Sequence, residues 1–169
     1  DNQEVFFDYW GAGKKRVWTG KEYNSISCYF PLDEFTTVEE LENYQWPRVE
    51  WFDFESIKYQ CEKYKDKAII FGHEGPFQFA TFLRSMDKLF MDMAIEKEFA
   101  HKLYDRMVEF ELEFYEKILE AGDGQIDILR PHDDYGTQIS TLFSVEMWRE
   151  FFSDNTKKLV ELAHKHGAY

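Results

Sequence analysis

The spacing of apolar and polar positions changes period several times along the chain. Residues 5–10 (VFFDYW) are a short aromatic and β-branched run and predict a strand, broken by Gly11-Ala12-Gly13. Lys14, Lys15 and Arg16 read as a solvated basic turn. Residues 25–30 read as a second strand or extended segment, stopped by Pro31. Thr37-Val38-Glu39-Glu40 has the form of a capping box, in which the hydroxyl and the carboxylate each accept from the other's backbone amide. It predicts a helix over residues 38–44, closed at Trp46-Pro47 because the residue before a proline avoids the helical region. Asp53 is placed to cap a helix over residues 54–65, where Phe54, Ile57 and Cys61 keep helical spacing.

Residues 68–71 (AIIF) form an apolar run bounded by Asp66-Lys67 and Gly72, the pattern of a fully buried strand in a parallel sheet. Residues 77–93 have helical character with a break near Ser85-Met86-Asp87. The clearest helix covers residues 96–121, with Phe99, Leu103, Met107, Phe110, Phe114 and Ile118 on one stripe and Gly122 as its terminal glycine. Residues 126–129 predict a second buried strand. Ser144 caps a helix running to His166 and closed by Gly167, and Ala168-Tyr169 reads as the first step of another strand. Strands alternating with helices mean βαβ units around a parallel sheet. The long helix exceeds what a minimal crossover needs and suggests helices wrapping a barrel. The expected fold is α/β, a partial (β/α)8 barrel with parallel strands and long outer helices. Residues 1–169 then form a single partial domain, with a loop-rich extension over 1–50 and βα units over 51–169.

Composition narrows the function classes. Of 169 residues, 33 are acidic and 20 basic, a net charge of -13, and 19% are aromatic. So aromatic a chain is not disordered. So acidic a chain, without clustered Lys and Arg, is not built for a nucleic-acid backbone. There is no apolar run of about 18 residues to span a membrane. The acidic opening Asp1-Asn2-Gln3-Glu4 does not read as a signal peptide, and the expected location is cytoplasmic. Cys28 and Cys61 read as two incidental thiols, with a disulfide as the alternative; no ligand-type cysteine spacing occurs.

Parallel α/β folds bind ligands at the carboxyl ends of their strands. Two segments meet that condition. After residues 126–129 come Arg130, His132, Asp133, Asp134, Tyr135 and Gln138. A carboxylate pair beside a histidine can hold a proton, orient a cation or bind a metal, and Asp133 and Asp134 can equally cap a turn. Because neighbours in extended chain alternate, one aspartate must face away from any shared ligand. After residues 68–71 come His73 and Glu74 between Gly72 and Gly75, which suits either close backbone approach to a ligand or a plain turn. His101, His164 and His166 read as structural, and the methionines as core filler. Gly11-Ala12-Gly13 lacks the remainder of a dinucleotide fingerprint.

The run Asp133-Asp134-Tyr135-Gly136-Thr137-Gln138, followed by Ser144-Val145-Glu146-Met147-Trp148-Arg149 and Ala163-His164-Lys165-His166-Gly167, resembles the uroporphyrinogen decarboxylase superfamily. Asp8-Tyr9-Trp10-Gly11, Thr37-Val38-Glu39-Glu40-Leu41 with Trp46-Pro47, and Phe71-Gly72 with Gly75-Pro76-Phe77 resemble it upstream. The likeness is closest to the branch that includes corrinoid-dependent methyltransferases. It implies a (β/α)8 barrel of about 250 residues or more, so that this chain corresponds to an N-terminal half. It implies methyl transfer between a corrinoid on a partner protein and a small molecule, with Asp133, Asp134 and His132 as catalytic residues. His73, Glu74, Arg130, Tyr135 and Gln138 would then bind substrate. Zinc would belong to the full-length protein, with its ligands beyond Tyr169; no metal ligand is expected in this chain, and the fragment alone is expected to be inactive. A homo-oligomer is also compatible; nucleic acid and membrane are not expected partners. Two other readings stand beside it, a uroporphyrinogen decarboxylase-type carboxy-lyase and a non-catalytic barrel domain. Against the lyase, Phe82 stands where that enzyme carries a tyrosine, and Phe152-Ser153-Asp154 repeats its catalytic letters in a different region.

Overall fold

A computed structural model describes residues 4–169. The acidic opening Asp1-Asn2-Gln3 lies outside the described residues. The chain divides into two compact units, residues 4–47 with Phe79–Leu103, and Arg48–Gln78 with Tyr104–Tyr169.

The first unit begins with β1 (Val5–Phe7), β2 (Gly13–Trp18) and β3 (Tyr23–Tyr29), an antiparallel meander in the order 1-2-3. The basic triplet expected as a turn is instead the start of the middle strand. Its alternation explains the difference. Lys14 turns to one face, pairs with Asp8 at 3.2 Å and lies 4.2 Å over the Phe82 ring, so the long aliphatic stem packs while the charge is held. Gly13 leaves room for Tyr29, Phe7 and Val5; a Cβ there would fall 2.7 Å from the Tyr29 Cβ. This sheet also corrects the expectation of parallel strands throughout. Its outer face is apolar and open, with Phe7 62% exposed.

Thr37 caps α1 (Val38–Glu42) with the full capping box expected from the sequence. The 77–93 segment splits where Ser85 breaks it, giving α3 (Pro76–Leu83) and α4 (Met86–Ile95). Trp10, Leu32, Leu41, Phe79, Leu83, Leu89 and Met93 fill this unit's core. Arg84 is buried among them. Its guanidinium holds both Asp92 carboxylate oxygens and donates to the carbonyls of Leu32 and Phe35, while Phe99 covers it at 4.6 Å.

The second unit holds α2 (Glu55–Lys63) and the parallel pair β4 (Ile70–Glu74) and β5 (Ile128–His132). It also holds most of α5 (Lys97–Gly122), with α6 (Val145–Phe151) and α7 (Ser153–Lys165). Asp53 does not cap α2 formally, but its carboxylate accepts from the Glu55 amide. The expected helix over 144–166 is broken at Phe152, whose ring is pulled into the core beside Tyr104 and Phe77. Gly122 is the last helical residue rather than the left-handed terminus. Its missing Cβ admits Ile126, while Asp123 and Gly124 take the positive φ angles.

Both strands start two residues later than their apolar runs and extend into the polar residues that follow. Neither is fully buried as expected: Ile70 is 57% exposed. Only one face of the pair is covered, by Phe114 and Tyr115 of α5 packing on Phe71 and His73. The chain end agrees with the sequence. Tyr169 bonds to Asp127 and Leu129 in the alternating manner of a further parallel strand. Both cysteines are free thiols, Cys28 exposed and Cys61 buried. Among the described residues no helix is long and apolar enough to cross a membrane.

Candidate functional site

The β4–β5 register sorts the candidate residues onto two faces. Gly72 pairs with Arg130, His73 with Pro131 and Glu74 with His132. Side chains alternate along a strand, and parallel partners share a face. Arg130, Glu74 and His132 therefore stand on the open face, above the exposed Ile70 and Ile128. Gly72 makes this arrangement fit. A Cβ there would lie 3.1 Å from the Arg130 Nε and 3.0 Å from its carbonyl oxygen, so the arginine side chain lies directly across the glycine. His73 points the other way, between the Phe114 and Tyr115 rings, and burial holds its imidazole below the usual range and neutral at pH 7.

Asp133 leaves the end of β5 on the covered side. It accepts hydrogen bonds from the amides of Phe77 (3.3 Å) and Gln78 (2.9 Å) in the first turn of α3, and from the Tyr135 hydroxyl (2.7 Å). The free amides and the dipole of a helix start both favour a carboxylate there. Gly75 completes the clamp: its amide donates to the His132 carbonyl, and a Cβ on it would lie 2.5–2.8 Å from the Asp133 carboxyl. Burial raises the Asp133 pKa, opposed by its three donors. Tyr135 also receives the Trp148 indole N–H, and burial beside Asp133 pushes its hydroxyl far above its ordinary range. Gly75, Pro76, Asp133, Tyr135, Trp148 and Phe152 line a cavity of about 160 Å³.

Asp134 is exposed and accepts weakly from the Gly136 amide at 3.4 Å, a turn-capping geometry. Gln138 is exposed on the following turn, which Thr137 closes through Ser140 and Ile139. Thus Arg130, Glu74 and His132 share one face, Asp133 and Tyr135 share the clamp, and His73, Asp134 and Gln138 join neither group.

Glu111 was not among the sequence candidates. It lies on α5 within the stripe Tyr104, Val108, Glu111, Tyr115, and is only 5% exposed. Neither carboxyl oxygen has a hydrogen-bond partner among the described residues. Burial, with Asp133 nearby, pushes its pKa up to about 8. The available signal was an acid at a position where helical periodicity requires an apolar side chain.

Among the described residues no three His, Cys, Asp or Glu side chains are grouped to hold a metal ion.

The polar residues gather at the carboxyl ends of the parallel strands, the position where open α/β sheets hold their ligands. The uroporphyrinogen decarboxylase (URO-D) family model matches residues 27–168, and the chain belongs to that family. No curated protein matches it significantly. Among solved structures it is similar to a methyltransferase from Methanosarcina mazei, at 21% identity and a TM-score of 0.60. That similarity covers 95% of this chain and 45% of the other, so the chain spans less than half the length of that protein.

Proposed function

We propose that the full-length protein transfers a methyl group between a corrinoid carried by a partner protein and a small molecule, and that the β4–β5 pair belongs to a (β/α)8 barrel. The observation that carries this reading is the open strand face, on which Gly72 seats Arg130 beside Glu74 and His132 at the carboxyl ends of parallel strands. Family membership and the methyltransferase name of the structural neighbour support it. Bound corrinoid would supply the methyl-carrying chemistry. In this chain Arg130 would orient an anionic group, while Glu74 and His132 would hold or accept a proton at the reacting atom. The clamp of Asp133 and Tyr135 fixes the turn that follows β5, directly after His132. A cytoplasmic setting suits this chemistry.

The test is methyl transfer from methylcobalamin to a panel of small thiols and amines by the full-length protein. Activity that falls at least tenfold in Arg130→Lys, with folding retained, is expected; unchanged activity in Arg130→Lys and Glu74→Gln would remove the site. The family's own description, together with the exposed Arg130, favours a second reading, decarboxylation of a carboxylate-bearing substrate. Turnover of uroporphyrinogen without added corrinoid would favour it.

A further inference from the structure

β3 is an outer strand of the antiparallel meander and lacks the usual devices that keep an outer strand from pairing with another chain. Natural sheets protect such strands with charges, with prolines or by keeping them short. β3 has seven residues, all uncharged, and contains no proline. The Thr19 amide donates to the Glu22 carbonyl, which makes these two a hydrogen-bonded pair. Such pairs alternate along an antiparallel ladder, so Asn24 and Ile26 turn their backbone groups to β2, while Ser25 and Ser27 direct theirs to the free edge. Among the described residues these outward groups have no partner. The β-bulge lies beyond Ser27, where Lys14 pairs with Ser27 and Gly13 with Tyr29, and it brings Tyr29 onto the same face as Ile26.

We propose that β3 seats a second copy of this chain, through two-fold antiparallel pairing of the two β3 strands about Ile26. In a two-fold contact the same patch meets itself, so the segment must be complementary to its own reverse. Ser25-Ile26-Ser27 meets that condition. Centred on Ile26, Ser25 of each copy lies opposite Ser27 of the other, and their outward amides and carbonyls exchange hydrogen bonds. Ile26 meets its own counterpart, a favourable β-branched pair; a register centred on Ser25 would set it against Asn24 instead. Val5, Phe7, Ile26 and Tyr29 share one face and are 41%, 62%, 44% and 51% exposed. A two-fold axis normal to the sheet joins these strips from both copies into one apolar surface. Charge selects the same edge. Each copy carries a net charge of -13, and pairing along an uncharged strand sets no like charges directly opposite each other. β1, β2 and the first half of β3 precede residues 27–168, the part matched by the family model, so the contact rests mostly on chain outside that match. It does not depend on the methyl-transfer reading.

The experiment is sedimentation of the full-length protein over a range of micromolar concentrations, with circular dichroism as the check on folding. The expected mass is twice that of one chain. Ile26→Lys, which sets two ammonium groups against each other on the two-fold axis, should raise the dissociation constant about tenfold or more. Val5→Glu, on the opposite edge of the meander and beside Lys15, should leave it unchanged. A monomer at every concentration overturns the proposal, as does a dimer that Ile26→Lys leaves as tight as the parent or that Val5→Glu dissociates. A second measurement covers an Ile26→Lys chain that does not fold. In a Cys28→Ser background, Ile26→Cys should give a disulfide-linked dimer under mild oxidation, because facing residues of a non-hydrogen-bonded pair lie about 4.5 Å apart at Cα, within disulfide reach. Lys15→Cys in the same background, one strand further in on each copy and roughly 14 Å from its counterpart, should not. Absence of the Ile26→Cys link, or equal linking at both positions, overturns the pairing. No readout involves catalysis, so the result is separate from that of the methyl-transfer test.

Discussion

The two units bury ionisable groups in opposite ways. In the first, Arg84 and Asp92 meet two-pronged, and the remaining guanidinium donors reach the Leu32 and Phe35 carbonyls. In the second, Glu111 is equally buried, yet neither of its carboxyl oxygens has a hydrogen-bond partner among the described residues. A paired, fully bonded charge acts as a tie between segments far apart in sequence. An unpartnered acid cannot tie anything; it can only hold or release a proton. The contrast separates architecture from chemistry without reference to any substrate.

The sharpest way to break this comparison is Asp92→Ala. It leaves Arg84 buried and uncompensated, and should cost about 3–5 kcal/mol in urea unfolding. A loss below about 1 kcal/mol would mean that the pair is no tie. Glu111→Gln should act in the other direction, by removing a pH dependence that runs between about pH 4 and pH 8. The folded value near 8 lies above the unfolded value of about 4.3, so the folded chain keeps a proton that the unfolded chain releases. Stability is therefore greatest below about pH 4.3 and is lost as pH rises through 8. The variant should lack this slope and gain on the order of 4 kcal/mol relative to the parent between pH 4 and pH 9. Parallel stability curves would show that Glu111 does not titrate abnormally. Gly75→Ala forces a methyl against the pinned Asp133 carboxyl and should cost about 1–3 kcal/mol, read by thermal unfolding. Asp134→Ala, on an exposed side chain with one weak bond, should stay within about 0.5 kcal/mol. A larger effect there would move the clamp to the wrong aspartate.

Much of the secondary structure was legible because its signals are local. The capping box at Thr37, the break near Ser85 and the apolar stripe of α5 each depend on residues within a few positions of one another. The antiparallel meander was missed because Lys14, Lys15 and Arg16 look like a turn until Asp8 and Phe82, far apart in sequence, hold the first lysine. The site was legible as a neighbourhood and not as an arrangement. Asp133 and Asp134 both stood out by composition. Which of them turns inward was decided by the Phe77 and Gln78 amides, more than fifty residues upstream. Glu111 escaped notice because charge on a long helix is ordinary, and only the positions on either side reveal that its face is buried.

The parallel pairing of β4 and β5 also bears on the order of folding. The bonds joining Ile69 to Asp127 close a stretch of 58 positions, and most of that stretch is helical. Long closures are entropically costly and form late, whereas the 26-residue α5 is stabilised by contacts one turn apart. Leu129→Ala should therefore speed unfolding and barely slow refolding, while Ile118→Val in α5 should slow refolding, as stopped-flow kinetics would show. On this view the strand ends that carry the candidate chemistry meet only after their covering helix exists.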